Sequence, residues 1–323
     1  MFLVSSNNTP QEYMLVFQGP FGESTDIMDI TDIIDDVSPC FPESYVVFPI
    51  KSHTHTVVFL HGRGSNGEEF ASDLLESLVP STGKSNTGDQ VAPKVGRMQE
   101  PSSPLTLPQH FPNWKWIFPT TKERYSTTFQ EEMNEWFDTV SLSHPSEREE
   151  LQIQGLAEAV RHIETILGAE IKTIGADKVI LGGISQGYAT ALHVLFVGGR
   201  KLAAFVGLSG WIPFARQIHQ ICQRESGRSA ARSVTTFARA NLGLESVGAD
   251  GDEERGSWAD SPMFLGHEEY DEIVRCEHGK EAWRILKAVG ANVTWHTYES
   301  GDHWLKEPEE MEDIVTFLTK YCS

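Results

Sequence analysis

From about residue 46 onward, apolar positions switch repeatedly between two periods, and each switch marks a new element. Val46–Phe48 and Thr56–Leu60 are short β-branched and aromatic runs, which predict strands. Glu68–Val79 carries Phe70, Leu74 and Leu78 at four-residue spacing, one face of a helix, and Pro80 ends it. Trp116–Phe118 predicts another strand. Ser146 with Glu149 has capping-box spacing, ahead of a long helix marked by Leu156, Val160, Ile163 and Leu167. There follow a strand at Val179–Leu181, a helix at Gln186–Phe196 and strands at Leu202–Leu208 and Met263–Leu265. A helix at Lys280–Val289, a strand at Val293–Tyr298 and a helix at Glu309–Leu318 complete the series. Alternation of this kind predicts an α/β fold, a mostly parallel central sheet with helices on both faces. Such sheets place ligands at the carboxyl ends of their strands, so residues just after strands are the candidates for chemistry.

Three stretches lack this texture. Residues 1–50 hold eight carboxylates and no Lys or Arg. Within them Asp26, Asp29, Asp32, Asp35 and Asp36 interleave with Ile27, Ile30, Ile33 and Ile34. This segment reads either as an acidic solvated arm or as an amphipathic partner-binding helix. Ser81–Gln109 and Gln223–Asp260 are polar and rich in loop-forming residues, so both are expected to be exposed insertions, dispensable for chemistry. The organisation expected is an acidic extension over 1–45 and one domain over 46–323, with insertions at 81–109 and 223–260.

Composition narrows the function. Asp plus Glu number 46 against 26 Lys plus Arg, a net charge of −20, which argues against nucleic acid and against a polybasic membrane anchor. Hydrophobic residues at 39% are enough for a large core. No apolar run is long enough for a membrane span, and MFLVSSNNTP lacks the basic start of a secretory signal. Cys40, Cys222, Cys276 and Cys322 lie too far apart for a Cys-x-x-Cys motif, and His53 with His55 is an isolated pair at a strand entry. The expectation is a cytoplasmic protein with no metal and no integral membrane segment, with transient contact at a membrane surface allowed.

The chemistry concentrates after the strands. Gly183-Ile184-Ser185-Gln186-Gly187 follows one strand and opens a helix, the strand–turn–helix setting of a nucleophile elbow. A serine hydroxyl needs a base, and His303, on the loop after Val293–Tyr298, fits best. His162, His193 and His296 lie inside elements and read as structural. The histidine needs a carboxylate to fix its tautomer. Asp271, after Met263–Leu265, is the choice, with Glu268 and Glu269 as nearest rivals. The backbone N–H groups of Arg63, in Leu60-His61-Gly62-Arg63-Gly64, and of Gln186 are placed to hold an oxyanion. His61 reads as a brace for that loop, and the Arg63 side chain is expected to face solvent or a loop carboxylate. An acyl chain would need an apolar groove. Candidate walls are Trp211, Ile212, Phe214, Leu305 and the Thr121–Phe137 stretch, where Tyr125, Phe129 and Met133 recur at four-residue spacing.

With these residues assembled, the chain resembles the acyl-protein thioesterase and phospholipase/carboxylesterase family of the α/β-hydrolases. The resemblance is carried by Val57–Gly64 (VVFLHGRG), Lys115–Pro119 (KWIFP), Trp136-Phe137-Asp138, Gly182–Gly187 (GGISQG), Leu208–Pro213 (LSGWIP), Phe264–Val274 and Gly301–His303. It implies an α/β-hydrolase fold with Ser185 as nucleophile, Asp271 as acid, His303 as base, and Arg63 and Gln186 at the oxyanion positions. It also implies a cytosolic serine hydrolase of acyl thioesters or carboxylic esters, without cofactor, acting on an acylated protein or a small lipophilic ester. The rivals are a small-ester carboxylesterase or lysophospholipase, and a catalytically silent hydrolase fold used for binding. Two departures bear on the last. Glu268 stands where the family usually has glycine, and Trp304 where a small residue commonly follows the base.

Overall fold

A computed structural model describes residues 41–79, 103–244, 256–300 and 302–322. The expected acidic extension up to residue 40, and most of the 81–109 insertion, lie outside the described residues. Among those residues the strands are β1 (Tyr45–Val47), β2 (His55–Leu60), β3 (Trp114–Phe118), β4 (Glu123–Ser126), β5 (Glu131–Asn134), β6 (Val179–Ile184), β7 (Ala204–Leu208), β8 (Met263–Glu268) and β9 (Val293–Tyr298). The α-helices are α1 (Gly67–Glu76), α2 (Leu107–His110), α3 (Gln152–Ile174), α4 (Gln186–Gly198), α5 (Ala215–Cys222), α6 (Gly227–Asn241), α7 (Cys276–Val289) and α8 (Glu309–Tyr321).

Seven strands form one sheet in the order β1-β3-β2-β6-β7-β8-β9. Only β1 runs antiparallel, against β3, so the expected mostly parallel sheet is present. Every residue of β2, β6, β7 and β8 is buried, because parallel central strands are covered on both faces and read as unbroken apolar runs. On one face Val57, Phe59, Trp116, Phe118, Val206 and Phe264 pack with Phe70 and Leu74 of α1 and with Met311, Ile314 and Phe317 of α8. Alternate residues serve the other face, where Phe205 meets Tyr188 of α4 at 5.8 Å between ring centroids. Helix α4 is buried from Gln186 to Val197. It lies against the sheet and is itself covered by α3 and α6, so it carries no polar side.

Local chemistry explains the ends of these elements, and some differ from expectation. The Asn66 side chain caps α1 by accepting the Glu69 N–H at 3.0 Å. The helix stops at Glu76, which leaves Leu78 exposed rather than on the buried face. The Ser146/Glu149 pattern does not cap α3. Arg148 turns left-handed, a short 3-10 turn spans Glu149–Leu151, and the Gln152 amide donates to Pro145 O at 2.6 Å. Tyr125, Phe129 and Met133 do not share a helix face, because β4 and β5 pair as a hairpin with Phe129 in its turn.

The largest correction concerns Gln223–Asp260, which is not simply an exposed loop. Helix α6 buries Ala230, Ala231, Val234, Thr235 and Ala238. Trp258 is fully buried, donates its indole N–H to Ala231 O at 3.1 Å, and packs on Phe196 at 4.6 Å. The inward face is built mostly of alanine, whose small side chain gives almost no hydrophobic signal, while Arg228 and Arg232 on the outer face made the stretch read as polar.

Candidate active site

The turn between β6 and α4 holds Ser185 at φ 57°, ψ −122°, a conformation a side chain adopts only when its surroundings impose it. The Ser185 N–H donates to Leu208 O at 2.8 Å, which ties the turn to β7. Glycine is required on both sides. A Cβ on Gly183 would lie 2.5 Å from the Gly187 carbonyl carbon, and one on Gly187 would lie 2.3 Å from Leu60 O. Helix α4 therefore starts flush against the end of β2. As its first residue, Gln186 has an N–H with no acceptor within the helix.

Two loops from distant sequence close on this serine. Ser185 Oγ lies 2.7 Å from His303 Nε2, and His303 Nδ1 lies 2.6 Å from Asp271 Oδ2. The other oxygen of Asp271 accepts the N–H groups of Ile273 at 2.8 Å and Val274 at 2.9 Å. His267 Nε2 donates to Val274 O at 2.8 Å and also lies 3.5 Å from Asp271 Oδ2. Burial alone would push the Asp271 carboxyl up. Hydrogen bonds from His267 and His303, the positive charge of a protonated His303 and the Val274 N–H outweigh it and hold the carboxyl below the usual range. Of the three carboxylates weighed for this place, only Asp271 meets His303. Glu269 is exposed, and Glu268 is buried beside Ser300, Lys306 and Glu310.

The loop after β2 faces the same serine. Gly62 sits so close that a Cβ there would lie 3.5 Å from Ser185 Cβ. The His61 Nε2 accepts the Thr121 N–H at 3.1 Å, so the ring proton is on Nδ1, which donates to Gly62 O at 2.7 Å. Burial pushes His61 down to about 4, so it stays neutral and braces the loop. Trp136 adds a second tie, its indole N–H donating to His61 O at 2.8 Å. The Gln186 side chain accepts the Trp136 N–H at 2.8 Å and donates to Phe137 O at 2.7 Å. Gly64 N–H donates to Asn134 O at 2.7 Å. The backbone of Arg63 thus lies in a segment held from three sides. As expected, its guanidinium has loop carboxylates near it, those of Glu135 and Asp138. It is half-buried, 4.7 Å above the Phe129 ring.

A cleft of about 380 Å³ opens over Ser185 and His303. Its apolar walls are Phe70, Phe129, Met133, Leu142, Ile273 and Trp304. Of the expected walls, Phe129 and Met133 are present and Tyr125 is not. Trp211, Ile212, Phe214 and Leu305 do not line it. Trp211 packs edge-on against Phe137, Phe214 packs against His193 and Phe237, and Leu305 belongs to the core between the sheet and α8. Sequence patterning missed Phe70, Leu142 and Ile273 because side chains that face a cleft have the same composition as side chains that face a core. Trp304 was visible only as an unusual residue after His303; it packs edge-on against Phe70 at 6.0 Å and forms one wall. Among the described residues no group of three or more His, Cys, Asp or Glu is arranged to hold a metal, and no helix is long and apolar enough to cross a membrane.

Comparison with known proteins bears on the family of the chain. The phospholipase/carboxylesterase family model matches residues 99–226 and 252–322. The gap between the two matches takes in α6. Acyl-protein thioesterase 1 of Yarrowia lipolytica is 27% identical over 282 residues, 86% of this chain and 96% of that protein. Acyl-protein thioesterase 1 of Cryptococcus neoformans is 29% identical over 287 residues, 84% of this chain and 94% of that protein. Among solved structures, acyl-protein thioesterase 2 of Zea mays superposes with a TM-score of 0.57 at 25% identity, covering 88% of this chain and all of that one.

Proposed function

The chain belongs to the phospholipase/carboxylesterase family of α/β-hydrolases, enzymes that cleave esters and thioesters, and on that premise we propose that it works as a serine hydrolase through Ser185, His303 and Asp271. The observation that carries this reading is the hydrogen-bonded line from Ser185 Oγ through both nitrogens of His303 to Asp271, at 2.7 and 2.6 Å, at the floor of an apolar cleft.

In this reading the acyl chain lies along Phe129, Met133, Ile273 and Trp304, with its carbonyl over Ser185. Ser185 Oγ attacks the carbonyl carbon while its proton passes to His303 Nε2. The negative oxygen of the tetrahedral intermediate takes the N–H groups of Gln186 and Arg63, which the His61, Trp136 and Gln186 side-chain bonds hold rigid beforehand. The imidazolium proton passes to the departing thiolate or alkoxide and leaves an acyl-Ser185 ester. Water then adds to that ester as His303 takes its proton, and the acid departs with Ser185 restored. No step calls for a cofactor. Asp271, held below the usual carboxylate range, stays charged throughout and keeps the His303 proton on Nδ1.

The substrate class we propose is an acylated protein carrying a thioester-linked aliphatic chain, met in the cytoplasm. The acyl-protein thioesterase relatives and the apolar walls of the cleft support it. A second reading, a carboxylesterase or lysophospholipase acting on small lipophilic esters, uses the same chemistry with a different leaving group. Labelling with a fluorophosphonate probe tests the first step. Modification at Ser185, lost in Ser185→Ala, is expected. A folded protein that is not labelled would instead favour a silent binding module. Side-by-side hydrolysis of an S-octanoyl peptide and an octanoyl lysophospholipid then separates the two substrate readings.

A further inference from the structure

Two buried acids lie under the loops that carry Asp271 and His303, and no step above uses them. Glu268 ends β8 with no solvent exposure, and the Ser300 hydroxyl lies beside its carboxyl outside good hydrogen-bond geometry. Glu310, in the first turn of α8, is 1% exposed. Its Oε2 accepts the Lys306 N–H at 3.1 Å, and its Oε1 is unpaired. Its carboxyl rests on β8 at Gly266, where a Cβ would lie 1.9 Å from Oε1. Side chains two residues apart on a strand share a face, so Glu268 projects on the same side as that contact, and its carboxyl reaches the carboxyl of Glu310. Two ionised carboxylates in such contact repel and offer each other no donor. One proton turns the contact into an O–H···O bond.

The pair also joins two loops. On one side, Glu268 O accepts the Asp271 N–H at 3.4 Å, so Glu268 begins the turn that presents the acid. On the other, the Glu310 carboxylate holds the backbone of Lys306, three residues beyond His303. We propose that Glu268 and Glu310 share one proton and that this bond is a clip between the Asp271 turn and the His303 loop, which makes them positioning residues and makes activity depend on the clip remaining protonated. The proposal rests on the serine hydrolase reading above.

The charged surroundings favour the shared proton. Asp271 and Asp302 face Glu268, and Asp313 of α8 faces Glu310, each adding negative charge; the Ser300 hydroxyl and the Lys306 ammonium near Glu268, and the Lys306 N–H on Glu310, act in the opposite sense. Asp313 is itself held by the Tyr298 hydroxyl at 2.9 Å and lies 3.2 Å from His296 Nδ1. Burial comes first in raising both acids, Glu268 to about 7 and Glu310 to about 8. Because the two are coupled, the proton leaves the pair rather than either residue.

The test is the rate of Ser185 labelling by a fluorophosphonate probe between pH 6 and pH 10, in wild type, Glu268→Gln, Glu310→Gln and the double variant. The protonated-carboxyl band in the infrared is followed over the same range in wild type and the double variant. An amide donates where the shared proton did and cannot be deprotonated. Wild type should lose rate at alkaline pH, by about tenfold for each pH unit above the pair's titration. In the single Gln variants that loss should vanish or move up by at least one pH unit. The part of the infrared band that wild type has in excess of the double variant, which keeps other buried carboxyls such as Glu135, should disappear over the pH range in which the wild-type rate falls. An alkaline loss of the same position and size in all four proteins overturns the clip and leaves the hydrolase reading standing, as does a wild-type rate that stays flat to pH 10. Absence of labelling in every protein at every pH overturns the hydrolase reading, and with it the clip's role in positioning, even where the infrared band titrates.

Discussion

Replacing Asp271 by Asn removes one charge and adds one misplaced donor, and the structure dictates which way the amide must face. Asp271 Oδ1 accepts two backbone N–H groups, from Ile273 at 2.8 Å and Val274 at 2.9 Å. An amide NH₂ cannot accept them, so the amide oxygen of the variant takes that side. The NH₂ then occupies the place of Oδ2, 2.6 Å from His303 Nδ1, where it can only donate. His303 must respond by carrying its proton on Nε2, the atom that faces Ser185 Oγ at 2.7 Å and has to accept the serine proton. The base is disabled although every heavy atom stays in place. A tautomer reversal of this kind in a Ser-His-Asp triad costs about 10⁴ in kcat, roughly 5.5 kcal/mol at 1.36 kcal/mol per decade. The assay is hydrolysis of p-nitrophenyl octanoate near neutral pH, with thermal unfolding as a check on folding. Glu268→Gln and Glu269→Gln, measured at the same pH, should lose far less. An Asp271→Asn enzyme that keeps a tenth of the wild-type kcat would refute the reasoning, because it would mean that His303 does not depend on this carboxylate for its tautomer.

Truncating two cleft walls, Phe129→Ala with Met133→Ala, should flatten the gain in kcat/KM as a p-nitrophenyl ester is lengthened from two to eight carbons, where each buried CH₂ otherwise adds about 0.8 kcal/mol; an unchanged chain-length profile would place the acyl chain elsewhere. Trp258→Ala should lower the free energy of unfolding in urea by about 3–5 kcal/mol, since it empties a fully buried site between α4 and α6, and a loss below 1 kcal/mol would contradict the burial described for that stretch. Stability should fall as pH rises from about 6.5 to 9, above the range in which His61 and His193, pushed down to about 4 by burial, add stability with rising pH. Burial raises Glu135 to about 8, Glu310 to about 8 and Glu268 to about 7, so over that range these three groups hold more protons in the folded state than in the unfolded one and lose that advantage as each is forced to ionise. A melting temperature that climbs steadily over that range would reverse the sign.

The sequence alone determined the elements that repeat a short-range rule. β2, β6, β7 and β8 could be read because a strand buried on both faces must be an apolar run, and the Gly183–Gly187 turn because a side chain at either flanking glycine would collide with backbone. The residues Ser185, Asp271 and His303 could be singled out because each follows its own strand in a sheet whose carboxyl ends converge. What required the tertiary structure is everything that depends on which surfaces meet. Trp211, Phe214 and Leu305 were as apolar as a groove requires, yet they close cores, while Phe70 and Ile273 line the cleft. Patterning reports that a side chain avoids water and is silent about whether its neighbour is protein or substrate. Helix α6 escaped for a related reason, since an alanine face binds another helix through close approach rather than through a large apolar area. The Glu268–Glu310 contact escaped because nothing local distinguishes a buried glutamate from a solvated one. Only the packing of α8 against the end of β8 removes the water that would keep the two carboxylates charged and apart.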